Sequence, residues 1–203
     1  GIEAYVAPRG MLEKNGKIDA DYFHLTLLAT NDMGYKNLLK LTTIAHIDGY
    51  YYKPRIDLPT LKLHAEGLIA LSGCPRGELP RTLLNHSETE VQMVLEKYLD
   101  IFGRDNFYIE IQRNSRDKDQ AEETLTQKLI ALAKKENLKL VATADCHYIY
   151  PDDCEAQDVL LCIGTGRTVG DSDRMDMRSY DLSLKSEAEM YQRFQDVPEA
   201  VAN

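Results

Sequence analysis

The chain has 203 residues, of which 43% are hydrophobic, enough for the core of one α/β domain or two small ones. Its formal charge of −9 argues against a main nucleic-acid surface, because domains with that role are usually basic. The four cysteines show no CxxC spacing, no apolar run could span a membrane and no secretory signal is visible. We therefore expect a cytoplasmic protein without a disulfide framework and without membrane contact.

A strand pattern followed by a helical pattern recurs along the chain, which predicts a mostly parallel sheet covered by helices. The chain starts without Met in a strand-like pattern over residues 2–6, as is typical of a fragment. Further strands are expected at 23–29, 67–73, 106–112 and 138–143, and a turn is expected at 31–34. Helices are expected over 35–46, 79–84 and 120–136, and from the Ser87/Glu90 capping box to Phe102. Two more helices are expected, one from Pro151 to about Gly164 and a last one opened by Ser186 and Glu189. Residues 163–180 are expected to form a long loop within a single domain spanning 1–203.

Residues that can bind metals recur at or near the strands. They are Glu3, His24, Cys74, Glu110, Asp145 and His147. The carboxyl ends of parallel strands in a barrel converge on one face, and active sites are assembled there. On an extended backbone Asp145 and His147 share a face, while Cys146 between them points away and is expected to pack. The mixed nitrogen, oxygen and sulfur set favours zinc, and leaves manganese and iron open.

Each of these residues also has an ordinary structural interpretation. A strand histidine such as His24 is more often a satisfied core or surface group, and Cys74 alone is most often a small buried hydrophobe. Glu3, close to the start, is by itself typical of solvated surface. It is the recurrence at successive strands that favours a metal site.

Three basic residues are candidates for phosphate contacts. Lys53, Arg55 and Arg76 follow predicted elements and are suited to bind phosphate, although they also fit ordinary loop charges. Glu110 fits an ion pair in a barrel interior as well as it fits a functional role.

Six segments, in this order, resemble a known family. They are GIEAYVA, HLTLLATNDMGYKNLLKL, GYYYKPRID, EGLIALSGCPRGELP, LVATADCHY and DCEAQDVLLCIGTG. Together they closely resemble the polymerase-and-histidinol-phosphatase (PHP) domain of bacterial replicative DNA polymerase III alpha subunits. The likeness covers nearly the whole chain, and the combination of YYKPRID, LIALSGC and ATADCHY makes it specific.

The resemblance implies a distorted (β/α)7 TIM-like barrel with a metal cluster at one end. Carried over by position, the ligands are Glu3, His24, Cys74, Asp145 and His147. The family normally begins earlier, with a His-x-His strand and a further segment that both contribute ligands. We therefore expect an N-terminally truncated fragment that lacks its opening strands and holds partial metal or none.

For the parent protein the resemblance implies a DNA-directed DNA polymerase of DNA replication, whose polymerase carboxylates lie elsewhere. The resemblance also implies that the metal site supports 3′–5′ exonuclease or phosphoesterase chemistry in the intact protein. The partners implied are DNA, the polymerase core of the same chain and the proofreading exonuclease subunit. One alternative is a non-catalytic scaffold for that core and that subunit. Another is a stand-alone histidinol-phosphatase-like metallophosphoesterase, against which GYYYKPRID argues.

Overall fold

The computed structural model describes residues 1–117 and 119–203. The strands and α-helices in these ranges are, in chain order, β1 (Ile2–Val6), β2 (Phe23–Ala29), α1 (Asp32–Ile47), β3 (Arg55–Ile56), α2 (Leu58–Leu63), β4 (Leu68–Leu71), α3 (Glu78–Asn85), α4 (Glu88–Phe102), β5 (Phe107–Gln112), α5 (Gln120–Glu136), β6 (Lys139–Thr143), α6 (Cys154–Thr165), α7 (Glu187–Arg193) and α8 (Glu199–Ala202). A single 3-10 turn, Pro151–Asp153, leads into α6.

One strand of the six-stranded sheet runs against the others. The strand order is β3-β1-β2-β4-β5-β6. The pairs β1–β3, β4–β5 and β5–β6 are parallel, whereas β2 is antiparallel to both β1 and β4. No helix is described between β1 and β2, and a connection without a crossover helix typically returns an antiparallel strand. The sheet is therefore mostly parallel, with β2 as the exception.

The sheet is open. β3 and β6 form its two edges, and no pairing joins them in residues 1–117 and 119–203. At the β6 edge, the side chain of Asn203, next to α8, donates a hydrogen bond from Nδ2 to the Leu140 carbonyl at 2.9 Å. The predicted α/β class is thus confirmed, whereas the predicted distorted TIM-like barrel without its opening strands is not confirmed by this open sheet.

The two faces of the sheet differ in chemistry because successive side chains point to opposite sides. One face is apolar: Leu25 and Leu27 of β2 and Ile109 and Ile111 of β5 are buried in the main core. Helices α1, α4 and α5 contribute Leu41, Leu95 and Leu129 among others to that same core. The opposite face carries polar side chains, and the candidate site lies there.

Most element boundaries agree with the sequence patterns. Ser87 and Glu90 form both hydrogen bonds of the predicted capping box, and α5 has the predicted bounds. The predicted turn at 31–34 is wrong, because Asn31 caps α1 and the helix begins at Asp32. The short elements β3, α2 and α8 were not predicted, and the irregular segment after α6 starts at Gly166. None of the helices in the described ranges is long and apolar enough to cross a membrane.

Candidate metal centre

The reversed direction of β2 determines where His24 lies. His24 is the second residue of β2, so it lies at the end of the sheet where the neighbouring strands β1 and β4 finish. There its main-chain N–H donates to the carbonyl of Arg76, just beyond β4, at 3.2 Å. His24, near the beginning of β2, therefore lies close to Cys74 and Arg76, which follow the end of β4.

Glu3 and Cys74 both contact the imidazole of His24. In the register of β1 and β2, Tyr5 is opposite His24, which makes Glu3 a diagonal neighbour on the same face. The Glu3 carboxylate lies 2.7 Å from His24 Nδ1, and Cys74 Sγ lies 3.4 Å from the same nitrogen. Only 12% of the His24 side chain is exposed, and its Nε2 is buried without a hydrogen-bond partner. Three predicted ligands from three neighbouring segments therefore meet at one point.

Gly73 allows this contact. Its φ is +86°, a conformation that other residues rarely adopt. A Cβ atom at this position would lie 2.5 Å from the backbone oxygen of His24. Glycine thus lets the end of β4 pass close to the start of β2, which places Cys74 beside the imidazole.

Asp145 and His147 do not share a strand face, so that prediction is wrong. β6 ends at Thr143, and Asp145 has a φ of +47°, which turns the backbone out of the extended conformation. The turn nevertheless keeps the two residues close, since His147 Nδ1 lies 3.9 Å from an Asp145 carboxylate oxygen. The same nitrogen lies 2.6 Å from the Asp145 carbonyl. If Nδ1 donates to that carbonyl, as is common for ligating histidines, Nε2 keeps its lone pair for a metal.

A segment that the sequence patterns did not single out holds this turn. The main-chain N–H of His147 donates to the carbonyl of Leu182 at 2.9 Å, and Tyr148 forms a parallel bridge with Ser183. Leu182 and Ser183 are both buried. The alternation in YDLSL was the available signal for such an extended segment. Cys146, which was expected to pack, is an exposed residue whose Sγ lies 3.7 Å from the Ser183 carbonyl.

The charges of the five predicted ligands act on one another. The hydrogen bond to His24 lowers the pKa of Glu3 below its usual value, and the charge of His147 adds to this effect. Burial raises the pKa of Asp145, and the charge of Glu3 raises it further. Burial likewise raises the pKa of the Cys74 thiol to about 11. A cation at this place would offset the repulsion between these acidic groups.

Glu110 is buried beside this cluster but bonds only to neutral groups. Its carboxylate accepts hydrogen bonds from the Gly73 N–H at 3.1 Å and from the Thr143 hydroxyl at 2.6 Å. Thr26 and Gln112 complete its set of donors. No basic side chain pairs with it in the described part of the chain, so the ion-pair interpretation is wrong.

The three basic candidates lie in different surroundings. Arg55 is fully buried, and its guanidinium donates to four main-chain carbonyls, those of Met11, Glu13, Asp19 and Gly49. The prediction that Arg55 contacts phosphate is therefore wrong, because its guanidinium N–H groups already donate to these carbonyls. Lys53 is exposed, and nothing places it near the cluster. Arg76 is exposed and close enough for its charge to lower the pKa of Glu3.

The donor set fits a divalent metal in its chemistry, although the donors are not gathered into a finished site. Carboxylate, imidazole and thiolate donors together suit zinc. The buried Nε2 of His24 has no partner and is an atom that a cation would satisfy, although Glu3 and Cys74 contact the other ring nitrogen, Nδ1. Within residues 1–117 and 119–203, however, no group of three or more His, Cys, Asp and Glu residues is arranged to hold a metal ion. The contacts form one trio at His24 and one pair at His147.

Comparison with known proteins identifies the family. The family described as "PHP domain" matches residues 1–114. The DNA polymerase III alpha subunit of Borreliella burgdorferi is 40% identical over the whole chain, and that of Treponema pallidum is 42% identical over the whole chain. The alpha subunit of Thermus aquaticus is 41% identical over 94% of the chain. The chain spans about 17% of the length of the first two relatives and 15% of the third. Its sequence and its match over 1–114 show that the chain belongs to the PHP domain family.

Proposed function

We propose that the chain is the PHP domain of a bacterial replicative DNA polymerase III alpha subunit and that it binds a divalent metal for 3′–5′ exonuclease chemistry. The observation that carries this proposal is the meeting of Glu3, His24 and Cys74 at one nitrogen. His147 is near enough to act electrostatically on Glu3, and Glu3 is near enough to act on Asp145. The alpha-subunit names of the relatives support the polymerase context. Zinc is the metal that the donor types favour, with manganese and iron as alternatives.

The proposed roles follow from the positions of the side chains. His24 and Cys74 supply nitrogen and sulfur donors, Glu3 and Asp145 supply carboxylates, and His147 offers Nε2. A divalent metal held by these residues would lower the pKa of a bound water and would neutralise charge on a phosphodiester. Hydrolysis at a 3′ end adds a water oxygen to phosphorus and breaks the bond to the 3′ oxygen of the preceding nucleotide. The products are a nucleoside 5′-monophosphate and a strand with a 3′ hydroxyl.

The wider context belongs to the same proposal. We infer that residues 1–203 form one domain, and that in the longer protein it contributes to a TIM-like barrel of the PHP type. The proposed partners are DNA, the polymerase core of the same chain and the proofreading exonuclease subunit, all in the cytoplasm. A polymerase activity of the longer protein rests on the names of the relatives alone.

A specific observation favours one alternative, a non-catalytic scaffold. In the described residues, no group of three or more His, Cys, Asp and Glu side chains is arranged to hold a metal ion. A PHP domain that has lost metal binding would serve to hold the polymerase core and its proofreading partner together. The two functions differ in whether substitutions at the ligands change hydrolysis or change only stability and partner binding.

Metal content and nuclease activity, measured on the same preparations, test the proposal. The longer protein that contains this domain is incubated with zinc, manganese or ferrous iron and then with 3′-labelled single-stranded DNA. Asp145→Asn and His147→Ala are expected to lower both metal content and hydrolysis, the latter by roughly 100-fold or more. Cys146→Ala is the matched control, because this exposed residue lies between them and is expected to leave both unchanged.

Each other outcome identifies a different function. Metal binding and hydrolysis that are the same in the wild-type chain and in both ligand variants would overturn the proposal. Absence of hydrolysis in every form, with weakened partner binding in the variants, would establish the scaffold. Hydrolysis of histidinol phosphate without any action on DNA would establish the stand-alone phosphatase.

A further inference from the structure

Arg76 is fixed at the rim of the cluster by its main chain and by an aromatic ring. Its carbonyl accepts the hydrogen bond from the His24 N–H at 3.2 Å, which ties its backbone to the start of β2. Its guanidinium carbon lies 5.1 Å from the centre of the Tyr22 ring, within the range of a cation–π contact. The cationic group therefore has a defined position although the residue is exposed.

Tyr22 contacts both Arg76 and His24. Its ring is nearly parallel to the His24 imidazole, with an interplanar angle of 4° and 5.7 Å between centroids. Tyr5 packs at an angle against both rings, 4.5 Å from Tyr22 and 5.2 Å from His24. Tyr22 thus contacts both the guanidinium of Arg76 and the imidazole of His24, and links the positive charge to the cluster.

Arg76 differs from a neighbouring arginine in its charge partners. Arg81 also lies over an aromatic ring, that of Phe23, but its guanidinium is paired with Asp21 at 3.0 Å. Among the described residues, no carboxylate forms an ion pair with Arg76. The guanidinium of Arg76 is therefore available to an anionic ligand, whereas that of Arg81 is not.

The surrounding charge explains why such a cation is needed. The cluster contains the acidic groups of Glu3 and Asp145, and Glu110 lies close by. The chain as a whole carries a formal charge of −9. A phosphate anion that approaches this place meets repulsion, and Arg76 is the described arginine whose positive charge acts there on Glu3.

We propose that Arg76, held in place by Tyr22, binds the phosphate group of a nucleotide or of a nucleic-acid backbone at this site. The inference rests on the proposed function for its location and adds the residue that recognises the substrate. Arg76 is a substrate-binding residue in this account, because its planar donors match phosphate oxygens. Tyr22 is a positioning residue, because it acts through Arg76.

Phosphate binding, measured without any hydrolysis, tests the inference. The imidazole and tyrosine ring signals of the chain are followed by NMR, with and without zinc, during titration with three probes. These are inorganic phosphate, thymidine 5′-monophosphate, and a short thymidine oligonucleotide without terminal phosphates. Inorganic phosphate reports binding of the free anion, thymidine 5′-monophosphate reports binding of a phosphate monoester, and the oligonucleotide reports binding of the phosphodiester backbone.

The variants separate the role of Arg76 from that of general surface charge. Arg76→Gln is expected to weaken binding of at least one probe roughly ten-fold or more, as loss of a charge-assisted hydrogen bond implies. Arg76→Lys keeps the charge but not the planar guanidinium, so its affinity for the probes is expected to lie between those of the wild type and Arg76→Gln. Tyr22→Leu is expected to weaken phosphate binding. Tyr22→Phe is expected to bind phosphate as the wild type does, since a phenyl ring keeps the aromatic contact with the guanidinium. Arg81→Gln combined with Asp21→Asn is the matched control, because it removes an arginine without leaving the Asp21 carboxylate free beside Arg76, and it is expected to bind as the wild type does.

Two results would overturn the inference: a wild-type chain that binds none of the probes, or an Arg76→Gln variant that binds all of them as well as the wild type or the control with Arg81→Gln and Asp21→Asn. Phosphate binding that depends on Arg76 in a chain without metal or hydrolysis would support the inference while the proposed exonuclease fails. DNA hydrolysis that is equally fast in the wild type and in Arg76→Gln would support the proposed exonuclease and would count against a role of Arg76 in substrate binding.

Discussion

Two buried polar regions of this chain look alike in the sequence and differ in the structure. One surrounds Arg55, whose four hydrogen bonds to main-chain carbonyls join the loop after β1 to the segment before β3. The other surrounds His24, which has two partners at Nδ1 and a buried Nε2 with none. The difference teaches that the side chain of Arg55 needs no further partner, whereas Nε2 of His24 requires a partner that the described side chains do not supply.

The largest effect is expected at the satisfied group. Arg55→Met would leave four carbonyl groups in a buried region without their donor, so we expect the free energy of unfolding to fall by roughly 3–5 kcal/mol. Urea denaturation measures this loss. Lys53→Met, two residues away and exposed, is the control and is expected to change stability by less than about 0.5 kcal/mol. A loss below about 1 kcal/mol in Arg55→Met would break the comparison, because Arg55 would then not be structural.

Glu110 extends the comparison to the pH dependence of stability, because it is a buried polar group with satisfied hydrogen bonds that can also titrate. Burial raises the pKa of Glu110 above its ordinary value of 4.5, so the folded chain binds this proton more tightly than the unfolded chain. The resulting stabilisation is fully present below about pH 4.5 and is lost as the pH rises through the raised pKa. Glu110→Gln, which cannot titrate, should therefore gain stability relative to the wild type as the pH rises.

Urea denaturation of both proteins between about pH 4 and 8 measures this difference, which amounts to about 1.4 kcal/mol for each unit of pKa shift. Glu66→Gln, at an exposed position, is the control for the loss of one negative charge. A difference between wild type and Glu110→Gln that is constant with pH, or that declines as the pH rises, would show that burial does not govern this carboxyl group.

The parts of the fold that could be predicted depend on local sequence. The Ser87/Glu90 capping box, the apolar stripe of residues 120–136 and the pattern FHLTLLA each determine their element through neighbours in the chain. The direction of β2 could not be read locally, because it depends on a connection without a helix. β3 has only two residues, too few to show a period.

The same distinction applies to the candidate site. The residue types at the strand ends were visible, and the structure brings Glu3, His24 and Cys74 into contact. The turn at Asp145 was not predictable, because it is held by Leu182 and Ser183, far along the chain. The burial of Arg55 was equally hidden, since its partners lie between residues 11 and 49.

The smallest change in stability is expected at the unsatisfied group. His24→Phe keeps an aromatic ring beside Tyr5 and Tyr22 and removes the buried nitrogen that has no partner. In metal-free solution we expect its free energy of unfolding to lie within about 1 kcal/mol of the wild type, because the lost hydrogen bonds and the removed orphan group offset each other. A loss as large as that of Arg55→Met would erase the distinction between the two regions.

The most direct measurement is the free energy of unfolding of the wild type and of His24→Phe, each with and without zinc. At a zinc concentration one hundred times the Kd, the wild-type chain should gain about 2.7 kcal/mol, because the metal binds the folded chain and not the unfolded one. His24→Phe should gain nothing, although its metal-free stability is close to that of the wild type. Equal stabilisation of the two proteins by zinc, or no stabilisation of the wild type, would contradict the assignment of His24 and its neighbours to a metal centre.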